Sequence, residues 1–166
     1  MNKSFFIILL SLLFSNSNFA QTNPQLEKKS NVFPETPFFV NDFENIFAWD
    51  EVPIIDEKLE TYFNQSHHKI ILVTVSSIEP YKDIFNYSLD LAKNINVKQN
   101  KNAEIVIVIS KNLRQIQIQN VDQIREKLTD EETKNIIENY IIPEFKNDKY
   151  LTGIMNGIEQ IKNELK

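Results

Sequence analysis

The chain has no cysteine and only two glycines, Gly153 and Gly157, in 166 residues. Without a thiol there is no thiolate nucleophile, no cysteine-ligated zinc or iron–sulfur centre, and no lipid-modified cysteine behind an export signal. Nor can this glycine content supply a P-loop or a Rossmann fingerprint, both of which need glycine where backbone must lie against phosphate. Arginine is as scarce, at Arg114 and Arg125 alone, so a bidentate clamp on a carboxylate or phosphate must use one of these two. The lysines are scattered, with no basic run beyond Lys28 and Lys29, and the formal charge is −5 at a pI near 5.1. Such a chain is unsuited to nucleic acid or an anionic membrane, whose phosphates demand clustered positive charge. After residue 20 no run is long and apolar enough to span a bilayer, and there is no internal repeat or low-complexity tract.

What is present fits one hydrophobic core: 42% of residues are hydrophobic and 25% charged, inside the globular range. The first segment carries Lys3, an apolar stretch from Phe5 to Phe14, a polar region and a small residue at Ala20. This reads as a secretory signal peptide over residues 1–20, its apolar stretch falling short of the ~20 residues of a transmembrane helix. Cleavage removes Lys3 and takes the charge from −5 to −6. An exported protein follows, periplasmic or secreted, with no membrane span left after cleavage. Residues 21–37, polar and punctuated by Pro24, Pro34 and Pro37, read as a linker, and 38–166 as one domain.

Within that domain, Ile55, Leu59, Tyr62 and Phe63 recur at helical spacing behind Asp50, a residue suited to an N-cap. The run KIILVTV, Lys69 to Val75, is β-branched and continuously apolar, which predicts a central strand covered on both faces. A second helix is expected from Tyr81 to Ile95 with Tyr81, Phe85, Leu89 and Ala92 inward. Ile105 to Ile109 predicts another buried strand, turning at Lys111-Asn112 into an edge strand from Leu113 to Gln119 whose two faces carry Arg114, Ile116, Ile118 and three glutamines. Thr129 and Glu132 have capping-box spacing ahead of an inward stripe of Ile136, Ile137, Tyr140 and Ile141, which Pro143 should end. Leu151, Ile154, Met155, Ile158, Ile161 and Leu165 then repeat with helical period behind Asp148 as cap. Helices between and after buried strands imply an α/β fold, a three-layer α/β/α sandwich around a small mixed sheet.

Several short motifs stand in a telling order: Val40-Asn41-Asp42, KIILVTV, Leu128-Thr129-Asp130, Ile142-Pro143-x-Phe145, the Asp148–Tyr150 pair, and Gly153 with Gly157. From about Phe39 to Leu165 the chain resembles the TPM domain, found in thylakoid lumen phosphatase-like proteins and in many bacterial exported proteins. The glycines, spaced i and i+4, read as the face by which the last helix approaches the sheet. One departure stands out. Between the third strand and Leu-Thr-Asp the family usually carries a Gly-x-Gly-x-Glu turn, and here Val121, Gln123 and Arg125 occupy those three positions. The segment VDQIREKL is therefore expected to be ordinary helix, with the local charge inverted.

The resemblance implies acid phosphatase activity and divalent-metal binding at a carboxylate-lined site, with calcium or another divalent cation as cofactor. Carried over residue by residue, it offers Asp42 and Asp130 as metal ligands, while Arg114 is the candidate for an anionic ligand. Each has a structural alternative: Asp42 as a cap or turn residue, Asp130 as a first-turn helix carboxylate, Arg114 as a strand-end charge. His67 and His68 are adjacent and would point apart in an extended segment. Ser76 and Ser77 follow the central strand but lack a nearby histidine or a nucleophile-elbow pattern. The acidic group Asp42, Glu44, Asp50 and Glu51 lacks the alternation of a calcium loop. With the acidic turn replaced, the leading expectation is a binding or assembly-accessory module for other envelope proteins, with weak or no catalysis. A metal-dependent acid phosphatase and a metal binder without turnover are the alternatives.

Overall fold

The β-branched runs form Ile70–Thr74 (β2) and Ile105–Ser110 (β3), whose residues are all buried. In the computed structural model, which describes residues 32–166, they are the inner strands of a four-stranded sheet. The signal peptide read at 1–20, and the linker up to residue 31, lie outside the described residues. Flanking strands are Val40–Asp42 (β1), parallel to β2, and Gln115–Asn120 (β4), antiparallel to β3, while β2 and β3 run parallel, so the sheet is mixed. At three residues, β1 is too short to show a strand period in sequence. Arg114 lies in the hairpin turn with φ 53°, ahead of the strand in which alternation placed it.

Strand alternation divides the core in two. Ile70, Leu72, Ile105, Ile107 and Ile109 pack toward the helices Glu51–Ser66 (α1) and Tyr150–Glu164 (α5), together with the arm Asp130–Ile136 (α3). Ile71, Val73, Val106 and Val108 pack on the other face against Ile84–Lys93 (α2). This is the expected three-layer sandwich. The connections β1–α1–β2 and β2–α2–β3 step the same way across the sheet yet use opposite faces. They therefore have opposite hands, one of them the rare left-handed crossover. The chain leaves the carboxyl ends of β1 and β2 toward different layers, the arrangement that opens a crevice beyond the carboxyl ends of the strands.

Helix α1 buries Ile55, Leu59 and Tyr62 as its spacing predicts. Asp50 holds the N-cap position but makes no capping bond; instead the Glu51 carboxylate accepts the Ala48 amide at 2.9 Å. The second helix departs from expectation in extent and phase. It opens at Asp83, whose carboxylate accepts the Asn86 amide at 2.8 Å, and continues into a π-helical turn over Asn94–Lys98. Tyr87, Leu91, Ala92 and Ile95 face the core, whereas Phe85 is 47% exposed. Tyr81 belongs to the preceding loop, where its ring meets Phe33 and Tyr87. Packing extends upstream of Phe38: Thr36 is fully buried, its amide and hydroxyl both donating to Gln99 Oε1 at 2.8 Å.

The Thr129–Glu132 capping box is present in full and opens α3. From Ile137 to Ile141 the helix widens into a π turn, with the Ile142 amide donating to the Ile137 carbonyl. That extra residue per turn puts Ile136 and Ile141, five apart, on the buried face and leaves Tyr140 38% exposed, against the predicted stripe. Pro143 does not end the helix. It sits in the first turn of Ile142–Phe145 (α4), where a missing N–H is tolerated, and the arm ends after Phe145. Asp148 does not cap α5 either: it adopts φ 57° in the preceding turn, and Lys149 takes the N-cap position. The segment from Asp122 to Glu126 is a 3₁₀ turn instead of ordinary helix. A Cβ on Gly153 would lie 2.7 Å from the Phe145 ring and one on Gly157 2.6 Å from Ile141 Cδ1. The glycines thus seat α5 against the α3–α4 arm, and the sheet is not what they make room for.

Candidate functional site

The three parallel strands end together, at Asp42, Thr74 and Ser110, and the loops that follow are tied to one another. Asp42 shapes the first loop: its Oδ1 accepts the Ile46 amide at 3.1 Å and its Oδ2 the Phe47 amide at 3.0 Å, while the Thr74 hydroxyl also donates to Oδ1. With the loop so folded, the Glu44 amide donates to Thr74 Oγ1 at 2.9 Å. The Glu44 carboxylate then spans to the β3–β4 turn, accepting the consecutive amides of Lys111 at 2.8 Å and Asn112 at 2.7 Å. Asn112 Nδ2 donates to the Ser76 carbonyl at 3.1 Å, joining the loop after β2 to the same assembly.

The segment between α4 and α5 forms the opposite wall. The Phe145 and Tyr150 rings pack at a tilt of 41° with centroids 4.6 Å apart, and Lys111 Nζ stands 4.7 Å above the Tyr150 ring and 3.8 Å from Asp148 Oδ1. Between these walls lies a cleft of about 960 Å³, in the size range of small-molecule sites. Its floor is apolar, from Ile109, Ile116, Ile142 and Phe145, and its rim carries Lys111, Arg114 and Lys146. Among the described residues Lys111 has Asp148 within salt-bridge reach, and neither Arg114 nor Lys146 has a carboxylate partner. Of the two acidic groups on the rim, Glu44 is consumed by backbone amides and Asp148 is largely exposed. The site therefore pairs uncommitted positive charge with an aromatic and aliphatic floor, on a chain that is acidic as a whole.

The residues singled out from sequence are not brought to one place. Asp42 and Arg114 lie at this end of the sheet. Asp130 lies at the other: Asn120, paired with Ile105 where β3 begins, donates to the Leu128 carbonyl, and Asp130 opens the helix just beyond. Its side chain is 88% exposed, 4.0 Å from Arg125. Asp42 and Asp130 therefore do not fit a single divalent cation, and both Asp42 oxygens already serve the loop. The replaced Gly-x-Gly-x-Glu positions belong to that far end too, where the Val121 amide donates to the Glu104 carbonyl. Among the described residues no three His, Asp or Glu side chains gather closely enough to hold a metal ion.

His67 and His68 diverge: His67 closes α1 in a left-handed conformation, and His68 Nδ1 lies 2.7 Å from Glu104 Oε2. Ser77 accepts the Glu79 amide in an exposed loop. Sequence reasoning missed Glu44, Lys111 and Lys146 as cleft residues. A signal that could have found them is the motif Ile142-Pro143-x-Phe145 with Asp148 and Tyr150, read above only as part of the resemblance, whose Ile142, Phe145, Asp148 and Tyr150 line the cleft.

Similar folds recur among solved structures. The N-terminal domain of a P. gingivalis protein superimposes with a TM-score of 0.68 at 19% identity, covering 78% of this chain and 83% of that one. A protein of the psychrophilic bacterium Bizionia argentinensis follows at 0.61 and 17%, covering 74% and 83%. The N-terminal domain of a Corynebacterium glutamicum protein gives 0.58 and 15%, covering 80% and 84%. At these identities the likeness is one of fold. No curated protein sequence matches the chain closely. The sequence profile of the TPM domain matches residues 40–164, nearly the whole of the described region, from the first strand of the sheet to the last turn of α5, and the chain belongs to the TPM domain family.

Proposed function

We propose that the protein is an exported TPM-domain module that binds other envelope proteins or assists their assembly through the carboxyl-end cleft, with weak or no catalysis of its own. Export rests on the charged, apolar and small-residue pattern of residues 1–20. The observation that carries the binding role is the division of labour at the carboxyl end of the sheet, where Asp42 stands behind the loop that lines the cleft. Asp42, the carboxylate a metal-dependent reaction would draw on, is engaged by two backbone amides and a hydroxyl. The cleft side chains left without a carboxylate partner among the described residues, Arg114 and Lys146, are cations suited to holding an anionic partner rather than to proton transfer at neutral pH.

The competing reading is a divalent-metal-dependent acid phosphatase. Phosphomonoester hydrolysis measured with calcium, magnesium and manganese, on the wild type and on Asp42→Ala checked for fold by circular dichroism, separates the two. The module reading expects at most weak turnover, unaffected by the choice of metal or by the substitution. Robust metal-dependent turnover that the substitution abolishes would overturn it.

A further inference from the structure

We infer that the cleft is a receptor for an acidic, extended peptide segment, its carboxylates taken by Arg114 and Lys146 and its apolar side chains by the floor between them. The inference deepens the binding-module reading and rests on it. Three independent features of the molecule lead to it.

The first is the placement of charge. Arg114 stands on the hairpin turn and Lys146 on the segment between α4 and α5, so the two cleft cations without a carboxylate partner among the described residues come from different segments of the rim. A ligand that satisfies both carries at least two anionic groups with a span between them, as a polypeptide with spaced aspartates or glutamates does. The second is the floor. The half-buried Ile116, Ile142 and Phe145 offer apolar surface that an inorganic anion cannot use, and the loops framing the cleft add the exposed Phe43 and Leu113. The third is the occupant the turn already has. Glu44 places its carboxylate on two consecutive turn amides at 2.8 and 2.7 Å, so this rim is built to receive carboxylates and takes one from its own chain. Acidic side chains of a partner would extend that pattern outward to Arg114, whose planar fork suits a carboxylate. On a chain that is acidic as a whole, the three cations of this rim outnumber its two carboxylates and favour an acidic segment there.

The test uses the full ¹⁵N-labelled chain titrated with a capped peptide of alternating aspartate and leucine, its asparagine–leucine counterpart, and sodium phosphate. The acidic peptide is expected to bind with Kd below about 1 mM, moving amide signals of residues 44–46, 110–116 and 142–150. Binding should weaken about tenfold in Arg114→Gln/Lys146→Gln, whose circular dichroism should match the wild type, and should weaken with added sodium chloride. Equal binding of the asparagine peptide overturns the inference, because the cleft would then read apolar surface alone. Inorganic phosphate that reproduces the shifts and displaces the peptide overturns it in favour of a phosphate site, as does the absence of any shift with the acidic peptide. Failure here without phosphomonoester turnover leaves the module reading with another ligand. Turnover with peptide binding intact removes that reading and leaves the receptor in place.

Discussion

Gly157 of α5 faces Ile141 of the preceding arm so closely that a Cβ on the glycine would stand 2.6 Å from Ile141 Cδ1 and 2.8 Å from its Cγ1. Ile141 is wholly buried and its side chain cannot move aside without disturbing the core. An alanine in a helix interior normally gains about 1 kcal/mol over glycine, but overpacking a filled core costs about 1–3 kcal/mol. Gly157→Ala should therefore destabilise the protein by about 1–2 kcal/mol in urea unfolding. Adding Ile141→Val should restore part of the loss, and strictly additive effects would rule out the contact as the cause.

Gly153 should behave differently. Its closest neighbour is the Phe145 ring, half-buried at the cleft floor, with the Ile141 carbonyl at 3.0 Å behind it. In Gly153→Ala the ring can yield, but only into the cleft, so unfolding should change less than for Gly157→Ala. The tilted Phe145–Tyr150 pair should be displaced, read as altered ring-proton shifts and weaker binding of the acidic peptide. Unchanged ring shifts together with a large loss of stability would contradict this.

Asp42 is expected to matter for stability before it matters for any ligand. Asp42→Ala strips the partners from the Ile46 and Phe47 amides and should cost about 1–3 kcal/mol, the penalty of hydrogen bonds to a charged group. Asp42→Asn keeps one acceptor and should cost less. Amide exchange should quicken at both Ile46 and Phe47 in Asp42→Ala and at one of them in Asp42→Asn, and unaltered protection of both amides in the alanine variant would sink the assignment.

Acid should weaken the fold through carboxylates held below their ordinary range. Asp90 is lowered chiefly by its bond from Lys93 and next by Tyr81, and Glu159 chiefly by Lys58. Asp83 and Glu132 are lowered by the backbone amides of Asn86 and Thr129. A carboxylate whose folded pKa is depressed contributes stability above its unfolded pKa and loses it as pH falls through the folded one. Thermal midpoints should therefore hold down to about pH 4 and decline below it, less steeply in Lys58→Met.

At the alkaline end the sign reverses. Burial, with the Tyr81 phenol adding to it, pushes Tyr87 up to about 12 from 10.0. A raised folded pKa means its contribution is whole below pH 10.0 and is lost as pH rises toward about 12. Tyr87→Phe should flatten the fall in stability over that window, and an identical alkaline decline in the variant would assign the effect elsewhere.

What could be read in the residues beforehand was what local chemistry governs. The Thr129–Glu132 box closes within one helical turn, and the buried strands declare themselves by unbroken β-branched runs. The inward stripe of α1 follows from spacing alone. Misreadings fell where a distant partner set the outcome. Phe85 is left outside because the helix opens at Asp83 and presents Tyr87, Leu91 and Ile95 to the sheet, a phase set by tertiary packing. The arm passes Pro143 because a π turn re-phases Ile136 and Ile141 onto α5. The cleft was legible only as motif residues without a place, since Glu44 reaches amides 67 and 68 positions away.

From its sequence alone the chain was bound to be a glycine-poor α/β sandwich with a mixed sheet and no thiol, P-loop or Rossmann chemistry, because composition and periodicity act residue by residue. Tertiary structure alone decided that Asp42 and Asp130 stand at opposite ends of the sheet, that Glu44 takes the turn amides, and that Arg114 and Lys146 face one apolar floor. These are consequences of how the strands are ordered and on which face each connection crosses, and no local preference along the chain encodes them.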